Sequence, residues 1–279
     1  MDTHRFNIDL VRRRLPGRQI SFFESITSTM HEAATLAAAG YPSGTAVVAE
    51  EQTAGQGRHG HSWHSEPGAG LYVSVVLRLP LPPDSLPVLT LALGLATAEA
   101  IARSTDLVPD LRWPNDVMLG DRKTAGILVQ LVDRVAIAGL GVNVNHPAFP
   151  PEIAGEATSL RLATGRPQSR EDLLVGLLPA IDSFCRMLVE GGRQAILDQF
   201  TRHSSYASGR RVRVDQPGGI VTGTTAGLDP SGFLKLRADD GSESLILAGG
   251  VRRVTDRPAT DRPVTDRPVT EPRPSGSGL

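Results

Sequence analysis

The stretch Gly55-Gln56-Gly57-Arg58-His59-Gly60-His61-Ser62-Trp63 decides how the sequence around it folds. The apolar runs at 45–50 and 71–77, on either side of it, are typical of buried strands. Its glycines satisfy the G-x-G-x-x-G spacing of dinucleotide-binding folds, but that motif requires a helix directly after it. Residues 65–70 are turn formers instead. The sequence therefore excludes a nicotinamide or flavin site and predicts a loop between two strands.

This glycine loop (residues 55–63) has the composition of an anion-binding segment. Glycines let successive backbone N–H groups curve around an anion. Arg58 adds a fixed positive charge whose planar fork suits a carboxylate or a phosphate. A surface loop with chance glycines is the alternative, but loops held between buried strands often carry function. We expect the loop to cover a small anionic ligand.

The overall composition is that of an ordinary globular protein, with 40% hydrophobic and 21% charged residues among 279 and a formal net charge of −1. This balance gives no general field that would attract nucleic acid or a membrane. The single cysteine, Cys185, excludes a disulfide framework and favours a reducing cytoplasm. The apolar helix predicted at 86–102 contains Pro87 and Glu99, so we expect no membrane span.

The periodicity of apolar residues predicts mixed strands and helices. Thr29 and Glu32 have capping-box spacing and predict the start of a helix that ends near Gly40. Pro114 forbids a central strand at 111–116, which we interpret as a strand end running into a turn. The remaining predicted elements are strands at 20–24, 45–50, 71–79, 123–132 and 135–144 and helices from 84 or 85 to 104 and from 169 to 203.

The pattern of the sequence changes after residue 205. Four short strands, at 211–214, 220–226, 233–237 and 244–247, follow one another between turns, which predicts a small SH3-like β-barrel over 206–254. Residues 255–279 contain three copies of a Thr-Asp-Arg-Pro repeat and should be disordered. Residues 1–205 are then left as one larger catalytic domain.

Four motifs, in order, resemble those of the bacterial-type biotin protein ligases. Residues 55–63 resemble the family pattern GRGRRGRxW, residues 112–116 resemble KWPND, residues 122–128 resemble RKxAGIL, and residues 139–145 resemble GxGxNVN. The resemblance implies an α+β fold: a class II aminoacyl-tRNA synthetase-like biotin/lipoate ligase domain, with a mixed sheet flanked by helices, and a C-terminal SH3-like barrel. The departures from the pattern are Gln56, His59 and His61 for arginines, Arg112 for a lysine and Met30 for an asparagine.

The resemblance also implies a two-step reaction. Biotin's carboxylate attacks the α-phosphate of ATP to give biotinyl-5'-adenylate, and a lysine of a biotin carboxyl carrier domain, of the acetyl-CoA carboxylase type, then takes the biotinyl group. Arg58 and Lys123 are the implied catalytic residues, and Mg²⁺ the implied ion, with Asp116 as its candidate ligand. The implied biotin-binding residues are Ser28, Thr29, Met30, Gln52, Gln56, Gly57, Arg58 and Lys123. The implied ATP-binding residues are Arg58, His61, Trp63, Asn115, Asp116, Lys123 and Asn143.

Three other functions remain open from the sequence. A lipoate ligase or octanoyl transferase would share the fold but lack the glycine–arginine loop. A biotin-responsive repressor needs a winged helix, and only about 20 residues precede the first predicted strand, so we expect no DNA partner. A non-catalytic adaptor could use the barrel alone. A homodimer, formed through an exposed surface of strand 134–144, is a further expectation.

Overall fold

The computed structural model describes residues 5–216 and 218–254, which form two β-sheets and five α-helices. The first sheet contains β1 (Ile20–Ile26), β2 (Ala46–Gln52), β3 (Gly70–Leu77), β4 (Asp110–Arg112), β5 (Asp116–Leu119), β6 (Arg122–Val132) and β7 (Val135–Asn143). The second contains β8 (Ser208–Gln216), β9 (Gly219–Leu228), β10 (Leu234–Arg237), β11 (Glu243–Ile246) and β12 (Gly250–Arg253). The helices are α1 (Ile8–Arg14), α2 (Thr29–Ala38), α3 (Leu86–Thr105), α4 (Leu160–Thr164) and α5 (Arg170–His203).

The first sheet is mixed and has helices on both faces. Its strand order is β1-β2-β3-β7-β6-β5-β4, and only the β1–β2 pair is parallel. Successive side chains of a strand point to opposite faces, so Val75 joins the large core with α3 and α5 while Val76 joins a smaller core under α2. This arrangement confirms the predicted α+β class with a mixed sheet flanked by helices.

Helix α3 lies inside the large core. The segment Pro83–Thr105 is long and apolar enough to cross a membrane, but 72% of its most apolar window is buried within the protein. Burial of this kind is typical of a core helix.

The second sheet is antiparallel, in the order β11-β10-β9-β8-β12, and is consistent with the predicted SH3-like module. The sequence predicted four of its strands and missed β12, a four-residue strand that pairs with β8. The indole of Trp113 donates to the carbonyl of Gly232 at 2.9 Å, which ties the second sheet to the first. Trp113 is 2% exposed, so its role is in the core.

The structure differs from several local predictions. Ser28, not Thr29, occupies the N-cap of α2, because its hydroxyl accepts from the Met30 N–H at 3.3 Å. Residues 116–119 form a strand, β5, that the sequence did not predict. Helix α5 is broken at Gly192, whose φ is +74°. The predicted disordered tail, 255–279, lies outside the described residues.

The predicted dimer surface on strand 134–144 is wrong. Strand β7 lies in the middle of the sheet between β3 and β6, and seven of its nine residues are buried. A central strand has no free backbone edge to offer a second chain.

Candidate active site

A cavity of about 50 Å³ opens where the glycine loop, α2, β6 and β7 meet. Its lining includes seven of the eight residues predicted to bind biotin: Thr29, Met30, Gln52, Gln56, Gly57, Arg58 and Lys123. Ser28, the eighth, is fully buried as the helix cap and does not line the cavity. The two charged residues among those lining this first cavity, Arg58 and Lys123, are both cations. Arg58 and Lys123 are 65 positions apart in the sequence, and the fold brings both to one cavity.

The inner end of the first cavity carries a hydrogen-bonded polar group. The Thr29 hydroxyl donates to Gln52 Oε1 at 3.0 Å, and the Thr29 backbone N–H donates to the same oxygen at 2.9 Å. Ser74, fully buried on β3, lies 2.8 Å from the Thr29 hydroxyl. The sequence analysis missed Ser74, although a serine inside the apolar run 71–77 was a usable signal. Thr29 and Gln52, which line the cavity, offer both donors and acceptors to a polar ligand, and the buried Ser74 supports Thr29 from behind.

The glycine loop closes on itself like a small hairpin. Gly57 N–H donates to the His61 carbonyl at 2.7 Å, and Trp63 N–H donates to the Gly55 carbonyl at 2.9 Å. A Cβ added at Gly55 would lie 2.8 Å from the Trp63 carbonyl oxygen, so only glycine fits there. His61 is exposed and lines neither the first cavity nor the neighbouring cavity on the other side of Trp63, which leaves its predicted contact with ATP without structural support.

Arg58 is held in the first cavity by Asn115. The guanidinium donates to Asn115 Oδ1 at 3.1 Å, while Asn115 Nδ2 donates to the Ile127 carbonyl at 2.8 Å. Both ends of the Asn115 amide are therefore occupied, so this residue orients Arg58. Burial lowers the pKa of Arg58, an effect that the negative charge of Asp116 partly opposes.

Lys123 is part of a three-residue ion-pair cluster (Arg112, Asp116 and Lys123). Asp116 Oδ1 lies 2.6 Å from Lys123 Nζ, and Asp116 Oδ2 lies 2.8 Å from Arg112 Nη2. Burial alone would raise the pKa of Asp116, but the two cations outweigh burial and lower it. Both carboxylate oxygens are thus taken by cations, which does not fit the predicted role of Asp116 as a Mg²⁺ ligand.

The Trp63 ring packs against glycines on β6 and β7. A Cβ added at Gly126 would lie 2.8 Å from the Trp63 ring, and one added at Gly141 would overlap it. Lys123 Nζ lies 5.3 Å from the ring centroid, within the range of a cation–π contact. The glycines therefore accommodate the tryptophan itself in this structure.

A second cavity, of about 170 Å³, adjoins the first through Trp63 and Lys123. Asn143, predicted to bind adenine, lines this cavity and is absent from the first. His64 also lines it, and its ring centroid lies 5.8 Å from that of His146. Burial, and the nearby charge of His64, lower the pKa of His146 to about 4, so its imidazole is neutral at pH 7.

The chain matches two protein families along its length. Residues 22–145 match the biotin/lipoate A/B protein ligase family, and residues 207–252 match the biotin protein ligase C terminal domain. The bifunctional ligase/repressor BirA of Bacillus spizizenii is 33% identical over 247 residues, which cover 85% of this chain and 75% of that protein. The biotin–[acetyl-CoA-carboxylase] ligase of Mycobacterium tuberculosis is 32% identical, with 84% of this chain and 88% of that protein covered.

A solved structure shows the same fold. The biotin protein ligase from Aquifex aeolicus in complex with biotin and ATP superposes with a TM-score of 0.75 and is 31% identical. The match covers 85% of this chain and 99% of that one.

Proposed function

The chain belongs to the biotin/lipoate A/B protein ligase family, and we propose how its site residues divide the work of ligating biotin to a carrier protein. It is an ATP-dependent biotin protein ligase, which activates biotin as biotinyl-5'-adenylate and transfers it to a carrier lysine. The presence of Arg58 and Lys123 in one cavity is the observation that carries our assignment of roles. Biotin occupies the first cavity, with its polar ring end toward Thr29 and Gln52, and the nucleotide occupies the second.

The first step joins two anions and therefore needs positive charge. A carboxylate oxygen of biotin attacks the α-phosphorus of ATP, the bond to the β-phosphate oxygen breaks, and pyrophosphate leaves. Arg58 holds the carboxylate beside the α-phosphate with its planar fork. Lys123 neutralises charge that develops on the phosphate oxygens. Arg112 and Asp116 keep the Lys123 ammonium in position.

The second step moves the biotinyl group to nitrogen. The uncharged amine of a carrier lysine attacks the carbonyl of the mixed anhydride, AMP leaves, and the amine nitrogen loses a proton. Lys123 again faces the oxygen that gains charge. The glycine loop covers the anhydride and limits its contact with water. We assign Trp63 to adenine stacking, which requires the indole to move from its place over Gly126 and Gly141.

The chain has two lysines, Lys123 and Lys235, so one can be tested against the other. Transfer of labelled biotin to a carrier domain should fall by about 100-fold or more in Lys123→Ala, a loss in the range for one charge-stabilising group. Lys235→Ala, in the second sheet, is the matched control and should keep the wild-type rate. Equal rates in wild type and Lys123→Ala would overturn the role of Lys123.

The acid substrate is tested separately. Pyrophosphate release with ATP should depend on biotin and not on lipoate or octanoate, and the reverse would point to a lipoate or octanoate enzyme. We further propose that the partner is the carrier domain of an acetyl-CoA carboxylase type enzyme and that the protein works in the cytoplasm without DNA. A gel shift on its own upstream DNA that responds to biotin would contradict the last point.

A further inference from the structure

Two histidines and a glutamate, to which the proposed ligation steps give no role, come together at the second cavity, which His64 lines. His64 and Glu66 lie just before β3, and His146 lies just after β7. Because β3 and β7 pair antiparallel, with Gly70 opposite Asn143, their flanking segments lie at the same edge of the sheet. One ligand atom from each side chain, an imidazole nitrogen or a carboxylate oxygen, lies within 4.8 Å of the other two.

His146 lacks the hydrogen bonds that a buried imidazole needs. Its side chain is fully buried, and neither Nδ1 nor Nε2 has a hydrogen-bond partner among the described residues. An unpaired buried polar group costs about 1–3 kcal/mol. His146 is also fixed in orientation, since its ring stacks on Phe149 with centroids 5.0 Å apart. A neutral imidazole with a free lone pair therefore faces the other two groups.

We propose that His64, Glu66 and His146 bind one zinc-type transition-metal ion. Two imidazoles and one carboxylate are a ligand set that Zn²⁺ accepts, with a fourth position left for water. Mg²⁺ prefers oxygen ligands and does not fit this set. Tetrahedral ligands at about 2.0–2.1 Å from Zn²⁺ lie roughly 3.4 Å apart. Separations within 4.8 Å therefore have to close by about 1.4 Å at most. Rotation of the exposed side chains of His64 and Glu66 can supply this movement.

The backbone around this triad (His64, Glu66 and His146) is already fixed. The buried Tyr72 hydroxyl donates to the Glu66 carbonyl at 3.1 Å and accepts from the Glu66 N–H at 2.9 Å. The Ala69 carbonyl accepts from the N–H groups of both Val144 and Asn145, at 3.2 and 2.6 Å. The two halves of the site thus cannot drift apart, and metal binding needs side-chain movement only.

The ion would act on the end of the glycine loop. His64 directly follows Trp63, and Ser65, between the two ligands, accepts a hydrogen bond from Gln52 Nε2 at 3.2 Å. A metal that holds residues 64 and 66 therefore anchors the segment that carries Trp63 and supports Gln52. Its role is structural, and it adds no step to the ligation.

The experiment is Co²⁺ titration of the untagged protein without biotin or ATP, followed by visible absorption and by displacement with Zn²⁺. Because no substrate is present, a failure here is distinct from a failure of the proposed roles in ligation. Wild type should bind one equivalent. His64→Ala and Glu66→Gln, both at exposed positions, should lose affinity by at least about 10-fold, as for disturbed metal sites in general.

His203→Ala is the matched control, since His203 is exposed at the end of α5 and its Nδ1 lies 2.9 Å from the Gln199 carbonyl oxygen. It should bind Co²⁺ as wild type does. Zn²⁺ should also raise the thermal midpoint of wild type and His203→Ala but not that of His64→Ala. The proposal is overturned if wild type shows no saturable binding, or if His64→Ala and Glu66→Gln bind within twofold of wild type.

Discussion

Asp116→Asn tests whether Asp116 positions Lys123 or binds a metal. The carboxylate is 14% exposed and contacts both Lys123 and Arg112, at 2.6 and 2.8 Å. Replacing it with a neutral amide leaves two adjacent cations with no counter-charge between them. Removal of one partner from a buried ion pair costs about 3–5 kcal/mol. The Lys123 side chain is 29% exposed, so we take the lower end and expect the free energy of unfolding to fall by about 3 kcal/mol.

The pH dependence gives a second readout of the same interaction. The native pKa of Asp116 lies below its ordinary value of 3.8. The unfolded chain therefore binds more protons near and just below pH 3.8, and the contribution of Asp116 is full at neutral pH and is lost as the pH falls through the native pKa. Urea denaturation of wild type and Asp116→Asn should show a stability difference that narrows in this acid range. Asp239→Asn, at an exposed ion pair with Arg211, should leave stability nearly unchanged.

The kinetic result separates the two roles of Asp116. If it positions Lys123, Asp116→Asn should slow biotin-dependent pyrophosphate release by about 10- to 100-fold, because small displacements of a catalytic group cost about that much. The Mg²⁺ concentration for half-maximal rate should stay the same. A tenfold rise in that concentration, with full activity restored at high Mg²⁺ and stability unchanged, would refute the ion-pair argument.

Three further results should follow from the same structure. Gly141→Ala should force Trp63 off β7, at a cost of about 1–3 kcal/mol in the free energy of unfolding. The stability loss should largely disappear in a Trp63→Ala background, and an unchanged stability would contradict the packing. Burial raises the pKa of Cys185 to about 12, so a thiol reagent at pH 8 should label the unfolded protein and not the native one. Limited proteolysis should cut the 55–63 loop more slowly with biotin and ATP present than without them, and equal rates would argue against loop closure.

Local chemistry in the sequence was enough to predict that residues 55–63 form a loop between two strands. The glycines at 55, 57 and 60 fall between two apolar runs, and turn formers follow them, which predicted a loop where a nucleotide-binding helix was the alternative. The structure places β2 before this loop and β3 after it, with only one short 3₁₀ turn at Arg58–Gly60 between them. The other site motifs came from resemblance to a family, and periodicity alone would not have assigned roles to Lys123 or Asn143.

Contacts between distant residues were beyond the reach of the sequence. His64 and His146 are 82 positions apart, and no ligand spacing along the chain links them. Strand β5 was missed because Pro114 and the turn after it hide a four-residue strand that only its pairing with β4 and β6 stabilises. The sequence could not show that the Trp63 ring lies against Gly126 and Gly141, because this packing joins residues more than 60 positions apart.

Arg58 and Lys123 keep two positive charges in the first cavity although positions 56, 59 and 61 lack the arginines of the family pattern. His61, which replaces one of them, is exposed and away from both cavities, so that replacement removes charge from the surface. Arg58 keeps its charge although burial lowers its pKa, and its direct partner, Asn115, is neutral. Lys123 has an anionic partner that it shares with Arg112. Arg58, Lys123 and Arg112 carry three positive charges and Asp116 carries one negative charge, which leaves an excess of two positive charges. A bound carboxylate and a bound phosphate would offset the electrostatic cost of this excess in the free protein.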